Sequence, residues 1–376
     1  MTARKISVLH LFASLPVGGA EDLLKGILSG LNPEIFAPRV ACLEGRGAVG
    51  EELVQAGYPV AALGLHLRRD PFLQIIGAVR GFLRQAPPDI LHTHLYHPNL
   101  YGRLAALGLG LPGVVAAVHN SYTRVKFHRQ VWNFVLAAMT DRLLVGSTQV
   151  YRDVRRYDRV PAVKLALLPY GIRLEELQCS LPPVEAKAAL GLTGFVVGTI
   201  GRLEEQKGQR YLLEAAARLT EEISDLTVAI VGSGRWEAEL HRLARELGLS
   251  PVVRFLGTRR DLALIYRALD VFVLPSLWEG LPLALLKAMG AGLPVVATRV
   301  SGTVEAIADG VSGLLVPPGE AEPLAAAIGE LHRAPQRRSA LGEQARQTVA
   351  RQYSLTAMVR ELESLYQDLA HRRSRP

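Results

Sequence analysis

Cysteine is nearly absent from the chain: only Cys42 and Cys179 occur, far apart, so no disulfide framework is available and the reduced thiols of a cytosolic protein are expected. Long hydrophobic runs are missing too. No uninterrupted apolar stretch approaches the ~20 residues of a spanning helix, which argues against a helical membrane protein. Basic residues cluster, yet no recognisable nucleic-acid motif accompanies them, and nucleic acid is not expected as a partner. His92, His94 and His97 lie close in sequence, but no carboxylate or cysteine stands near them at ligand spacing, which speaks against a metal centre. No residue is marked as a covalent nucleophile.

What is present points to a folded α/β protein. At 49% hydrophobic and 21% charged the chain is globular. Its 376 residues exceed one ordinary core and suit two α/β domains. Arg4-Lys5 ahead of an apolar stretch can be read as a signal peptide; the favoured alternative is a first strand over 6–12 that feeds the glycine loop Gly18-Gly19-Ala20. The formal net charge is +8, with clusters at Arg124, Lys126, His128 and Arg129, at Arg152, Arg155, Arg156 and Arg159, and in the tail at Arg372, Arg373 and Arg375. An anionic membrane face or a phosphate-bearing acceptor fits these clusters, and so does a plain solvated surface.

Residues 271–298 organise the rest. An apolar run, Val271-Phe272-Val273-Leu274, has the pattern of a buried parallel strand, and the turn after it carries Glu279-Gly280 at its tip. Pro282 suits the first turn of a helix that runs to Gly290-Ala291-Gly292, and a second strand covers 294–297. A loop entering a helix offers unpaired N–H groups and the positive end of a dipole. In an open parallel sheet it lies at the carboxyl end of the strands, where ligands bind. An acid there does not attract phosphate, but it can hold sugar or ribose hydroxyls. The pattern suggests an anionic ligand that also carries hydroxyls, such as a nucleotide sugar.

Glu279-Gly280-Leu281-Pro282, Ala288-Met289, Gly292-Leu293-Pro294-Val295-Val296 and Ala297-Thr298 together resemble the signature of the retaining GT-B glycosyltransferases of group 1, glycosyltransferase family 4. The resemblance implies two Rossmann-like domains facing across a cleft: an acceptor domain over 1–175, a nucleotide-sugar domain over 176–353, and a helix and basic tail over 354–376 that return to the first domain. Glu279 matches the family's glutamate near the donor sugar. The family's second glutamate, seven residues further on, grips ribose; here that position is Lys287. A carboxylate accepts from two hydroxyls where an ammonium only donates, and losing that contact costs on the order of 1.5–3 kcal/mol if nothing replaces it.

The remaining motifs fall into place beside it. Gly201-Arg202 and Lys207-Gly208 follow a strand over 195–200 and precede a helix over 211–219, so both cations meet at a helix start suited to a diphosphate. The family clamps the donor phosphates with this Arg and Lys. Gly232 and Gly257 close further strand ends, the latter on the loop that seats the nucleobase in the family. In the first half, Gly18 and Gly19 begin a helix over 21–31 and face the donor phosphates or the acceptor in the family. His92 and His94 end a strand over 89–94, His119-Asn120 end a strand over 114–118, His92, His94 and Asn120 are expected on the acceptor side, and His119 matches a histidine that reaches the donor sugar. A core histidine is the plainer reading of His119. A helix over 127–139 has an apolar face for a sheet or a membrane surface. Tyr170 replaces the asparagine of the family's Pro-Asn-Gly segment, and 175–185 reads as a linker.

The expected activity is therefore sugar transfer from a nucleotide-diphosphate sugar to a hydroxyl acceptor, with retention, without a cofactor or metal, in polysaccharide, lipopolysaccharide or glycolipid synthesis. Arg202, Lys207, Glu279 and His119 carry the catalysis; Gly280, Leu281, Pro282 and Lys287 complete the donor site. The acceptor is a lipid-linked or polysaccharide chain, and the location is the cytoplasm, at most peripheral to the inner membrane face. Two other readings compete: a non-catalytic nucleotide-sugar-binding partner, favoured by Lys287, and a GT-B epimerase, which needs more carboxylates around the sugar than Glu279.

Overall fold

The computed structural model describes residues 4–119 and 127–372. The chain divides into two compact units, Met1–Gly171 with Leu355–Pro376, and Ile172–Ser354.

The first unit is built on a sheet of β1 (Ile6–Phe12), β2 (Phe36–Cys42), β3 (Val60–Ala62), β4 (Ile90–His94), β5 (Gly113–Val118), β6 (Arg142–Val145) and β7 (Leu165–Leu167). The strands are parallel in the order β3-β2-β1-β4-β5-β6-β7. Helices cover both faces, so β1 and β4 read as nearly continuous buried runs rather than alternating ones. The strand order reverses between β1 and β4, which opens a crevice at their carboxyl ends. Helix Gly19–Gly30 turns Leu23, Leu24, Ile27 and Leu28 inward. Helix Leu355–Arg372 lies against it, because Gly26 and Gly30 present bare backbone: a side-chain carbon there would meet Leu355 at 3.0 Å and Val359 at 2.9 Å.

The second unit holds β8 (Phe195–Ile200), β9 (Leu226–Val231), β10 (Val253–Gly257), β11 (Val271–Leu274), β12 (Val295–Thr298) and β13 (Leu314–Val316). These too are parallel, in the order β10-β9-β8-β11-β12-β13, with the reversal between β8 and β11. Val197, Leu212, Ile230, Val273 and Ile328 meet in its core. The chain enters and leaves this unit side by side, where the Ile172 N–H donates to the Tyr353 carbonyl at 2.8 Å.

Two expectations need correction. Residues 175–185 are not a plain linker: Leu174–Leu177 forms a 3-10 turn, and a helix, Pro183–Ala189, begins at the second proline, whose missing N–H costs nothing at that position. Pro282 precedes the helix Leu283–Gly290 as its N-cap, with φ −78° and ψ 112°, instead of sitting in its first turn. Helices Thr148–Tyr157, Glu237–Glu246 and Pro335–Gln352 are mostly polar, with few buried apolar residues, and were not among the expected elements. Among the described residues, no helix is long and apolar enough to cross a membrane.

Candidate active site

In the second unit, the loops after β8 and β11 meet at the reversal of strand order. Lys207, on the first loop, donates from Nζ to Glu279 Oε1 on the second at 2.5 Å, and the Ser276 hydroxyl donates to the same oxygen at 2.7 Å. Glu279 is only 4% exposed. A buried carboxylate persists when it is paired and hydrogen-bonded, and both conditions hold here. Gln206 fixes the turn from beside: its side-chain amide donates to the Trp278 carbonyl at 2.9 Å, and its carbonyl accepts from the Leu277 N–H at 2.8 Å. The Thr298 hydroxyl at the end of β12 donates to the Ser276 carbonyl at 2.5 Å.

Two glycines permit this closeness. Gly208 has φ +62°, and a side-chain carbon on it would lie 2.1 Å from the Pro275 carbonyl oxygen. At Gly302 the added carbon would lie 1.5 Å from the Gly280 carbonyl oxygen. Gly232 (φ +134°) likewise backs onto the Gly201 carbonyl, its N–H donates to the Gly257 carbonyl at 2.7 Å, and Ser233 and Thr258 share a hydroxyl contact of 2.9 Å. Gly201, Gly232 and Gly257 thus frame one rim at the ends of β8, β9 and β10, with Gly280 on the neighbouring loop after β11. On that rim Arg202 is exposed, and among the described residues no ion pair holds its guanidinium. Glu204 nearby is taken by Arg235 at 2.7 Å, whose hydrogen bond holds the Glu204 carboxyl below its usual range. Lys287 is half-buried on helix Leu283–Gly290, with Leu281 and Pro282 buried just before it.

The first unit gathers histidines at its own strand reversal. His10 of β1 and His92 of β4 are register partners, and His94 follows on the same face. His10 Nδ1 lies 3.1 Å from His94 Nε2, His94 Nδ1 lies 3.3 Å from His119 Nε2, and His119 Nδ1 lies 2.7 Å from the Tyr170 hydroxyl. His92 Nδ1 lies 2.6 Å from the hydroxyl of Tyr366. Burial lowers the pKa of His10 to about 3 and that of His119 to about 4, and holds His92 and His94 well below their ordinary value. All four rings are neutral at pH 7. A cavity of about 20 Å³, room for a single water, opens beside His92, His94, His119 and Tyr170. His10, His92 and His94 can each offer a nitrogen within 4.8 Å of the others, so these three, and not His97, are the set with metal-site spacing. His97 instead lies in helix Tyr96–Ala106 and stacks on Tyr101 of the same helix.

Comparison with known proteins agrees with this architecture. The family described as glycosyl transferases group 1 matches residues 184–348, and glycosyltransferase family 4 matches residues 17–176. A D-inositol 3-phosphate glycosyltransferase of Corynebacterium urealyticum is 33% identical, over 93% of this chain and 88% of its own length. The chain belongs to the group 1 glycosyltransferases, family 4. An Escherichia coli UDP-Gal:alpha-D-GlcNAc-diphosphoundecaprenol alpha-1,3-galactosyltransferase is 33% identical over 62% of this chain and 64% of its own. Among solved structures, Anabaena HepE in complex with UDP and glucose superposes with a TM-score of 0.87 at 22% identity, over 96% of this chain and 100% of that one. The fold is GT-B, and the protein is a sugar-transferring enzyme; neither the silent partner nor the epimerase is favoured.

Within this glycosyltransferase the structure joins some of the residues marked by sequence and leaves others apart. Lys207 and Glu279 touch, and Arg202 shares their rim. His92, His94 and His119 form one contact network in the first unit. Gly18 is the N-cap of helix Gly19–Gly30, but the Glu21 carboxylate already lies over that turn, 2.4 Å from where a Gly18 side chain would begin, so a phosphate there would face a carboxylate. Asn120 lies outside the described residues. The sequence reading passed over His10, Ser276, Gln206 and the Tyr366 hydroxyl. His10 had a usable signal, a polar residue inside an otherwise apolar parallel strand.

Proposed function

We propose that this glycosyltransferase moves a sugar from a nucleotide-diphosphate sugar to a hydroxyl acceptor with retention of configuration and without a metal. The observation that carries the reading is the Lys207–Glu279–Ser276 contact at the strand reversal of the second unit, with the guanidinium of Arg202, which no ion pair holds among the described residues, on the same rim. Lys207 has three N–H donors, of which Glu279 takes one, so two are left for phosphate oxygens. Arg202 adds a planar fork. As the bond from the anomeric carbon to the phosphate oxygen breaks, negative charge grows on the leaving diphosphate, and two fixed cations in a partly dry site stabilise it in the way a metal ion would. The acceptor oxygen bonds to the anomeric carbon on the same face, and its proton passes to the departing phosphate oxygen. No enzyme nucleophile is required.

The acceptors named for the two curated relatives, an inositol phosphate and a lipid diphosphate, both carry phosphate. A phosphate-bearing acceptor agrees with the net charge of +8. An exposed surface of the first unit supports a membrane-facing reading. Val131, Trp132, Phe134 and Val135 of helix Phe127–Ala138 are exposed, as are Phe72 and Leu73 of helix Phe72–Gln85 and the cations Arg152, Arg155, Arg156 and Arg159. Apolar side chains flanked by arginines suit an anionic lipid interface. We assign the protein to polysaccharide or glycolipid synthesis as a cytoplasmic enzyme peripheral to the membrane.

The test is nucleotide release and product formation with UDP-, GDP- and ADP-sugars on a phosphorylated acceptor, with and without a chelator. Turnover of one donor that survives chelation and yields the donor's own anomer supports the reading. An inverted anomer, or activity abolished by chelator and restored by a divalent ion, contradicts it.

A further inference from the structure

The chain of rings in the first unit has a polarity, and Tyr170 sets it. A neutral imidazole carries a single N–H, so each ring that accepts at one nitrogen must donate at the other. Tyr170 is buried, and among the described residues its hydroxyl meets only His119 Nδ1, at 2.7 Å. A phenol is a stronger donor than an imidazole N–H, and a basic imidazole nitrogen is a better acceptor than a phenol oxygen. A contact this short matches an O–H donor more closely than the 2.9–3.0 Å usual for N–H. With the phenol donating, the His119 proton sits on Nε2 and points to His94 Nδ1; the His94 proton sits on Nε2 and points to His10 Nδ1. The proton left over sits on His10 Nε2, a buried nitrogen without a hydrogen-bond partner among the described residues. The opposite polarity strands the phenol proton and leaves a basic nitrogen of His10 bare. The same reasoning has Tyr366 donate to His92 Nδ1 and leaves a proton on His92 Nε2, the second unpartnered nitrogen. In this arrangement the histidines form a hydrogen-bonded relay that ends on two Nε2 protons.

We infer that Tyr170 is a positioning residue whose hydroxyl locks His119 in the Nε2–H tautomer, so that this ring meets the substrate as a neutral hydrogen-bond donor and not as a base. The 3.3 Å contact to His94 is the longest link in the chain, and a sugar oxygen can capture the Nε2 proton by replacing it. The 2.7 Å bond from Tyr170 stays in place and holds the ring. Tyr170 stands where the resemblance puts an asparagine, whose amide cannot make this phenol contact. The part concerning substrate rests on the transfer reading above; the tautomer does not.

The experiment uses the full chain labelled with nitrogen-15 in histidine, with His119→Gln to assign the signals. Long-range proton–nitrogen correlation at pH 7 should show His119 Nδ1 unprotonated and Nε2 protonated. In Tyr170→Phe the two His119 nitrogens should move toward averaged positions. With the donor that the enzyme turns over, Tyr170→Phe should lower kcat by about three- to tenfold, the worth of one hydrogen bond, with KM for the donor little changed. A wild-type His119 protonated at Nδ1, or a Tyr170→Phe spectrum identical to wild type, overturns the proposal. Should Tyr170→Phe fail to fold, the wild-type spectrum decides alone. Absence of turnover with every donor counts against the transfer reading and leaves the tautomer result standing.

Discussion

Lys207 and Glu279 pair at 2.5 Å across two loops that are 72 positions apart in sequence and neighbours only because β8 and β11 lie side by side. The lysine and glutamate side chains are 17% and 6% exposed, so neither charge is fully hydrated. The pair therefore serves twice: it holds the turn 275–280, and it leaves the lysine with donors to spare.

Removing the cation should show the structural half of that role. In Lys207→Ala, Glu279 keeps only the Ser276 hydroxyl and becomes a buried charge without its partner. We expect a loss of about 2–3 kcal/mol in unfolding free energy, below the full cost of a broken buried pair because Lys207 is partly exposed. Urea denaturation of Lys207→Ala and of Lys207→Ala/Glu279→Gln checks it. The double variant should recover part of the loss; equal stability of the two would mean that the pair is not coupled.

Gly302→Ala should disrupt the same turn from the other side. The new methyl would lie 1.5 Å from the Gly280 carbonyl oxygen, a backbone atom that cannot rotate away. A destabilisation of about 3 kcal/mol or more is expected, at the upper end for overpacking. A melting temperature equal to wild type would show that the turn is looser than described.

Stability should depend on pH through the buried histidines. His10 and His119 fall from an ordinary 6.5 to about 3 and about 4 because burial disfavours their charged forms. Below pH 6.5 the unfolded chain takes up protons that the folded chain refuses, so stability is fully present above 6.5 and declines as pH falls toward 4 and 3. In His10→Phe one of these terms is gone, and the melting temperature should fall less steeply between pH 6.5 and 4. Carboxylates such as Asp261 and Asp309, held below their usual range by arginine pairing and backbone hydrogen bonds, titrate equally in both proteins and cancel. Parallel pH profiles would contradict the assignment.

Lys287→Glu restores the family's second glutamate. A carboxylate there can accept from two ribose hydroxyls, and nucleotide affinity should rise about tenfold or more. Calorimetry with the cognate nucleoside diphosphate measures it. Unchanged or weaker binding would mean that Lys287 makes its own contact with the nucleotide.

Most of the strands were legible because apolar runs such as 271–274 and 195–200 are buried on both faces and bounded by glycines and prolines. The candidate donor site was legible through its motif, since Glu279-Gly280 and Arg202 with Lys207 mark two loops. Their direct contact was not, because it depends on strand order, which no local pattern encodes. The histidine relay escaped for the same reason. His10 and His92 are 82 positions apart and meet only through the register of β1 with β4, and Tyr366 arrives on a helix from the far end of the chain. Helix Thr148–Tyr157 was missed because arginines fill its outer face, although Ser147 caps it by accepting from the Val150 N–H at 3.2 Å.

Arg202 gives the most direct test of the account, because its side chain is exposed and its removal leaves no buried partner behind. Arg202→Ala should keep the ligand-free stability within about 0.5 kcal/mol of wild type. The cognate nucleoside diphosphate, found by thermal shift across UDP, GDP and ADP, should stabilise the wild type and bind Arg202→Ala at least about tenfold more weakly, as loss of a charge-assisted contact to phosphate requires. Undiminished binding by Arg202→Ala would contradict the account and place the diphosphate elsewhere.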